Sequence, residues 1–240
     1  MLDATASMRP GLCASLRDGY RQRMWIASIS PRSTGKTTNT WWLLHALYER
    51  GYRVKGFDAD ESEQLYRWWE ARPSDHPDEP PPFEVVRVAN GRFHQEAPPL
   101  LPEGHIGVVD CGHLENHQGI GRSVLRLADL ALIACAPTNS DVERMDELPM
   151  DFFIKTASAK REGGTPPPHP ILLCRNQTGT SKTIDSIRAS LREDDWDVLA
   201  TVIPAIQLYA NTGEGMPVQA RGSHFDELVT ELETRGWISK

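Results

Sequence analysis

Long hydrophobic runs are missing from this sequence of 240 residues. None approaches the roughly 18 apolar residues that cross a bilayer, so no membrane-spanning segment is expected. The stretch from Met1 to Asp18 has neither the basic start nor the apolar middle of a secretion signal. Cysteine is scarce: Cys13, Cys111, Cys135 and Cys174 stand far apart, and no Cys-x-x-Cys pair exists. Three of them lie in or beside apolar runs, which reads as reduced core thiols in a cytosolic protein. Positive charge is short as well. A net charge of −7 excludes holding nucleic acid by overall charge, although it leaves room for a local basic patch. There is no internal repeat.

What is present is enough apolar content, 39% hydrophobic residues, to bury a substantial core. The length suits one α/β domain. One stretch organises the rest: Ile29-Ser30-Pro31-Arg32-Ser33-Thr34-Gly35-Lys36-Thr37-Thr38. A short apolar run from Met24 precedes it, and Trp41 to Leu47 follows with helical spacing. Strand, tight loop and helix form the setting of a phosphate-binding loop, whose backbone N–H groups converge on phosphate oxygens at a helix N-terminus. There Lys36 reaches the β- and γ-phosphates and the Thr37 hydroxyl ligates Mg²⁺. The usual pattern opens with glycine where this chain has Ser30. The plainer alternative is a Gly-Lys-Thr-Thr turn capping an ordinary helix.

Residues 1–22 show no clear period, and a basic cluster of Arg17, Arg21 and Arg23 closes them. They read as an extension ahead of a domain over 23–240, and the cluster as a solvated face or a nucleic-acid contact. A helix is expected from about Thr38 to Arg50, with Gly51 as its stop. A strand over Tyr52–Phe57 then ends at Asp58-Ala59-Asp60. Carboxylates just past a strand's C-terminal end face the ligand crevice of an open α/β sheet, but they could equally cap the next helix, Glu61–Glu70. Arg72 to Pro82 is proline-rich and acidic, an exposed connection. Phe83–Val88 alternates as a strand, and Ala89 to Glu103 stays undetermined. His105–Asp110 is an apolar strand ending in Asp, the metal-side half of a P-loop site. Cys111 to Asn116 would be a mobile loop beside the γ-phosphate. In and beside it, His113 and His117 read as polar loop residues or, with a third ligand, as zinc ligands. Helix Gln118–Ala128, strand Leu130–Cys135, helix Asp141–Lys160, strand Ile171–Cys174, helix Ser181–Arg192 and strand Val198–Ile203 continue the alternation. Helical segments over Ile206–Asn211 and Ser223–Arg235 end the chain. Such alternation predicts a mostly parallel sheet with helices on both faces, the P-loop NTPase class.

In order and spacing these pieces resemble the deviant Walker-type partition ATPases, ParA and its relatives ParF and MinD, over roughly residues 24–220. The carriers are Gly35-Lys36-Thr37-Thr38, the Asp58-Ala59-Asp60 pair with Leu65-Tyr66-Arg67-Trp68, and Val108-Val109-Asp110. Ala128 to Ile133 and the tail from Val202-Ile203-Pro204 to Val218 add to it. The resemblance implies ATP and Mg²⁺ as cofactors and an ATP-dependent homodimer. It also implies nonspecific binding to nucleoid DNA, and a centromere-binding ParB-like partner that stimulates hydrolysis.

Carried over, Ser33, Thr34, Gly35, Lys36, Thr37 and Thr38 would hold the triphosphate. Thr37 and Asp110 would serve the metal, Asp60 would orient the attacking water, and Pro204 and Asn176 would line the adenine pocket. The family's signature lysine, which reaches the other subunit's phosphates, is Pro31 here; the neighbouring Arg32 is the candidate replacement. Lys155, Lys160, Arg161, Arg188 and Arg192, on expected helices, are candidate DNA contacts. Two other readings stand beside this one: a degenerate relative acting as an interaction module with little ATPase activity, and a dethiobiotin-synthetase-like metabolic enzyme.

Overall fold

A computed structural model describes residues 23–32, 34–71, 81–161, 163–176, 181–213 and 217–240; the side chains of residues 175, 176 and 181 fall outside the description. Seven strands make one parallel sheet: β1 (Met24–Ile29), β2 (Val54–Ala59), β3 (Glu84–Arg87), β4 (Ile106–Cys111), β5 (Leu130–Cys135), β6 (Ile171–Asn176) and β7 (Val198–Pro204). Their spatial order is β3-β2-β4-β1-β5-β6-β7. All seven expected strands are present. Side chains alternate between two cores: Ile26, Val108 and Leu132 face one, while Ala27, Val109 and Ile133 face the other. A sheet buried on both faces needs such continuous apolar strands.

The helices are α1 (Lys36–Glu49), α2 (Gln64–Glu70), α3 (Phe93–Glu96), α4 (Gln118–Leu125), α5 (Asn139–Glu147), α6 (Met150–Ser158), α7 (Ser181–Glu193), α8 (Gln207–Ala210) and α9 (His224–Thr234). Buried residues of α1, α2, α8 and α9 join the first core, and those of α3 to α7 the second. α1 ends as expected at Gly51, where Gly51 N–H bonds the Tyr48 carbonyl at 2.8 Å and Tyr52 N–H the Leu47 carbonyl at 3.0 Å. These two bonds satisfy carbonyls that the helix end leaves open.

One expectation needs correction, and one open stretch is filled in. The single helix over 141–160 is two, because Leu148 adopts an extended conformation (φ −103, ψ 96) ahead of Pro149. Proline crowds the preceding residue out of the helical region and has no N–H to continue the ladder. The undetermined stretch 89–103 holds α3 and a short 3₁₀ turn at Pro98–Leu100, with Phe93 and Leu101 fully buried.

β1 lies at the centre of the sheet, between β4 and β5. Its C-terminal end, and the ends of its neighbours, therefore open on a shared crevice where ligands bind in open α/β sheets. Among the described residues no helix is long and apolar enough to cross a membrane.

Candidate functional site

The loop from β1 to α1 turns on Gly35, whose φ of 83 and ψ of 23 fall in the left-handed region. Glycine enters that region without strain, which explains why it is the one glycine kept in this loop. The loop is pinned from both sides. The Thr34 hydroxyl donates to the Ala134 carbonyl of β5 at 3.1 Å, and the Cys174 thiol of β6 donates to the Thr34 carbonyl at 3.0 Å. Lys36 is only 5% exposed. Its Nζ donates to the Ser30 hydroxyl and the Arg32 carbonyl, each at 3.0 Å. Ser30, at the place of the usual first glycine, thus supplies a ligand to the loop's own lysine, a role the motif gave no hint of. Burial pushes the Lys36 ammonium below its ordinary range, against the pull of Asp110, Cys111 and Asp60.

Across three strands, register brings Ser28 of β1, Asp58 of β2 and Asp110 of β4 abreast. The two β-strand carboxylates have different fates. Asp58 is fully buried and accepts Asp60 N–H at 3.0 Å and Tyr66 N–H at 2.9 Å, so it ties the turn after β2 to the first turn of α2. Asp110 is 1% exposed, no donor meets full hydrogen-bond geometry at either oxygen, and the Thr37 hydroxyl is the weak partner it has. Burial pushes its carboxyl up to about 7, while the Thr37 hydroxyl and Lys36 pull the other way. A buried carboxylate left short of donors is costly unless something else answers it. A cation or its bound water beside the Thr37 hydroxyl would answer it, so the residues present fit Mg²⁺. Among the described residues no group of three or more His, Cys, Asp or Glu side chains is placed to hold a metal ion. A metal here would rest instead on hydroxyl, water and ligand oxygens.

Asp60, one residue past β2, is half-buried and accepts Ser62 N–H at 3.1 Å. It lies against the loop after β4: a Cβ on Gly112 would meet Asp60 Cγ and Oδ1 at 3.3 Å. That loop is tied to the one after β1. Leu114 and Glu115 N–H bond the Ser30 and Pro31 carbonyls at 3.4 Å. Glu115 also grips the Arg32 Nε with both oxygens, at 2.8 and 2.7 Å. Nothing in the spacing of Glu115 pointed to this contact.

Beside the loop opens a cavity of about 570 Å³, lined by Gly35, Thr38, Asn39, Trp68, Pro204 and Tyr209 among others. Asn39 is 6% exposed and its Nδ2 has no partner. Pro204 therefore stands where the loop and β7 meet. Asn176 pairs in register with Pro204, but its side chain, like all of Ser33, lies outside the described residues. Trp68, Tyr209 and Asn39 were not singled out as wall residues in advance, since they come from three helices that only folding brings together.

Three of the five candidate DNA contacts are paired with carboxylates. Lys155 pairs with Asp151 at 2.6 Å, Arg161 with Asp129 at 3.2 Å, and Arg188 with Asp185 at 3.3 Å. Acidic side chains one turn away, or at the end of a neighbouring strand, neutralise them. Lys160 and Arg192 stay exposed.

No family model matches the sequence, and no curated protein matches it either. Solved structures do match the fold. McdA of Cyanothece superposes with a TM-score of 0.67 at 14% identity, covering 88% of this chain and 100% of that one. A putative plasmid partition protein of Borrelia burgdorferi, bound to AMPPNP, gives 0.64 at 11%, covering 89% and 99%. Cobyrinic acid a,c-diamide synthase of Mycobacterium smegmatis, with an ATP analogue and magnesium, gives 0.65 at 14%, covering 90% and 96%. At such identities the likeness is one of fold.

Proposed function

We propose that this chain, whose fold is that of the ParA and MinD type of deviant Walker ATPases, binds ATP with Mg²⁺ and hydrolyses it slowly. One observation carries the reading: a buried lysine and a buried Asp110 whose one weak partner is the Thr37 hydroxyl share one crevice. The backbone of Ser33 to Thr38 and Lys36 would hold the phosphates, and Thr37 with Asp110 would hold the metal. Bound Mg²⁺ would neutralise charge on the transferred phosphoryl group. Asp60 would orient the attacking water from its seat against Gly112. The base would lie in the cavity beside Pro204, with Asn39 offering its free amide N–H. Asn176 is the remaining candidate there.

The same reading makes ATP the trigger for a homodimer that binds nonspecific DNA on the nucleoid in the cytoplasm, with a ParB-like partner stimulating turnover. Residues 1–22 are an extension ahead of the ATPase domain. Arg32 would replace the missing signature lysine by reaching the other subunit's phosphates. For that, Glu115 must release it, which supports slow turnover without a partner.

Calorimetry of Mg·ATP binding tests the core of this. Lys36→Ala should lose detectable ATP affinity while keeping the fold, because a buried triphosphate needs compensating cations. Wild-type affinity in that variant would end the phosphate-loop assignment. A second reading draws on the likeness to the diamide synthase, a metabolic enzyme of the same fold. It requires ATP turnover only in the presence of a small-molecule substrate, so turnover by the protein alone, or with DNA, decides between them.

A further inference from the structure

The basic cluster that closes residues 1–22 has one described member, Arg23, and its surroundings are informative. Arg23 lines a cleft of about 640 Å³ with Arg53, His105, Lys240, Tyr52 and Trp237. The cleft sits where β1, β2 and β4 begin, since Arg23, Arg53 and His105 immediately precede them. It is therefore at the opposite end of the parallel sheet from the loop that holds Lys36.

Many surface cations, among them Arg32, Arg50, Lys55, Arg87 and Arg235, are held by carboxylates, whereas exposed ones such as Lys160 and Arg192 lie singly outside the cleft. Arg23, Arg53 and Lys240 are exposed, and among the described residues none of them pairs with a carboxylate. The Lys240 ammonium instead lies 5.6 Å from the centroid of the Tyr52 ring. One acidic side chain lines the cleft, that of Asp129, and both of its oxygens are engaged: one by Trp25 N–H at 2.9 Å, the other by Arg161 at 3.2 Å. The cleft is a local excess of positive charge on a chain of net charge −7.

We propose that this cleft binds the sugar-phosphate backbone of a nucleic acid, with Arg23, Arg53 and Lys240 as its phosphate contacts and Trp237 as an aromatic wall. Unpaired cations converging from three separate chain segments on one concavity match a polyanion that presents several phosphates. A membrane surface is the poorer match. The exposed large apolar side chains Tyr48, Leu100, Phe152, Ile206 and Leu208 all lie outside the cleft, so it has nothing to insert among lipids. The assignment replaces the α6 and α7 candidates and rests on the proposed function only in taking nucleic acid as the partner.

The test is fluorescence anisotropy of a labelled duplex of random sequence, titrated from low to moderate salt. Three proteins are compared: wild type, the triple variant Arg23→Ala/Arg53→Ala/Lys240→Ala, and Arg92→Ala as an exposed control outside the cleft. ATP affinity is measured on the same samples, and vesicles containing phosphatidylserine replace the duplex in a parallel series. Removing one phosphate-binding cation should flatten the salt slope by about one unit, so the triple variant should fall by about three and bind at least about tenfold more weakly. The control should match wild type. Undiminished DNA binding in the triple variant overturns the proposal, whatever its ATP affinity. Binding to vesicles but not to duplex overturns it in favour of a lipid surface. Loss of DNA binding in the triple variant, in a protein that binds no ATP, upholds the cleft and overturns the nucleotide reading alone.

Discussion

Asp58 and Asp60 stand two residues apart, and their substitution should separate folding from chemistry. Asp58 is fully buried and answers two backbone N–H groups, at 3.0 and 2.9 Å. Hydrogen bonds to a charged group are each worth about 1.5–3 kcal/mol. Part of that is offset by the cost of burying the carboxylate, which also pushes its pKa upward. Asp58→Ala should therefore destabilise the protein by about 3 kcal/mol, mainly by loosening the turn into α2. Asp60 is half-exposed and answers one N–H, that of Ser62, so Asp60→Ala should cost only about 0.5–1 kcal/mol. Urea denaturation measures both costs. On activity the order reverses: Asp60→Ala should bind ATP with near-normal affinity and hydrolyse it much more slowly, accumulating as an ATP-held dimer. A folded Asp58→Ala protein should keep turnover whenever it keeps structure. Unchanged hydrolysis in Asp60→Ala would return that residue to a purely local role. Equal destabilisation by the two substitutions would refute the division of labour.

Three further outcomes are expected. Arg32→Ala should weaken ATP-dependent dimerisation in sedimentation while leaving monomer affinity for ADP intact, and Glu115→Gln, which frees Arg32, should strengthen it; no change in either variant would leave the pair without a functional role. Gly112→Ala should press on Asp60, since the added carbon falls 3.3 Å from its carboxylate, so hydrolysis should drop several-fold with ATP binding retained. His45 is half-buried on α1 between Trp41 and Phe83, and burial of its ring pushes the imidazole down to about 4. Its folded pKa thus lies below the unfolded value of 6.5, so the stability it contributes is present above about 6.5 and drains away as pH falls towards about 4. The loss amounts to about 3 kcal/mol at about 1.4 kcal/mol per pKa unit, and His45→Phe should remove that part of the acid sensitivity in urea midpoints compared at neutral and acid pH.

Much was legible in the sequence because the signals are local. Five apolar runs and two stretches with polar residues at alternate places, Tyr52–Phe57 and Phe83–Val88, announced seven strands, since a central strand covered on both faces has no polar side to interrupt it while one nearer the edge does. Gly51 marked the end of α1, and Gly35-Lys36-Thr37 marked the loop, because backbone conformation and charge at those positions depend on few neighbours. Pro149 is an equally local signal, yet the helical period on both sides of it hid the break between α5 and α6. What no local signal could carry was decided by contacts distant in sequence. Ser30 and Lys36 meet because the loop closes on itself, and Glu115 reaches Arg32 because β4 ends beside β1. Asp58 and Asp110 look alike in sequence, each an Asp near the end of an apolar strand. Only the packed sheet makes one a satisfied tie and the other a buried carboxylate short of donors. The basic residues of α6 and α7 read as a patch from composition, yet Asp151, Asp129 and Asp185 neutralise Lys155, Arg161 and Arg188 where the fold brings them together. Arg23, Arg53 and Lys240, far apart in the chain, share a cleft because β1 and β2 begin at the same edge of the sheet and the chain after α9 returns to that edge. Charge in a sequence is a sum; charge at a site depends on which partners the tertiary structure leaves out.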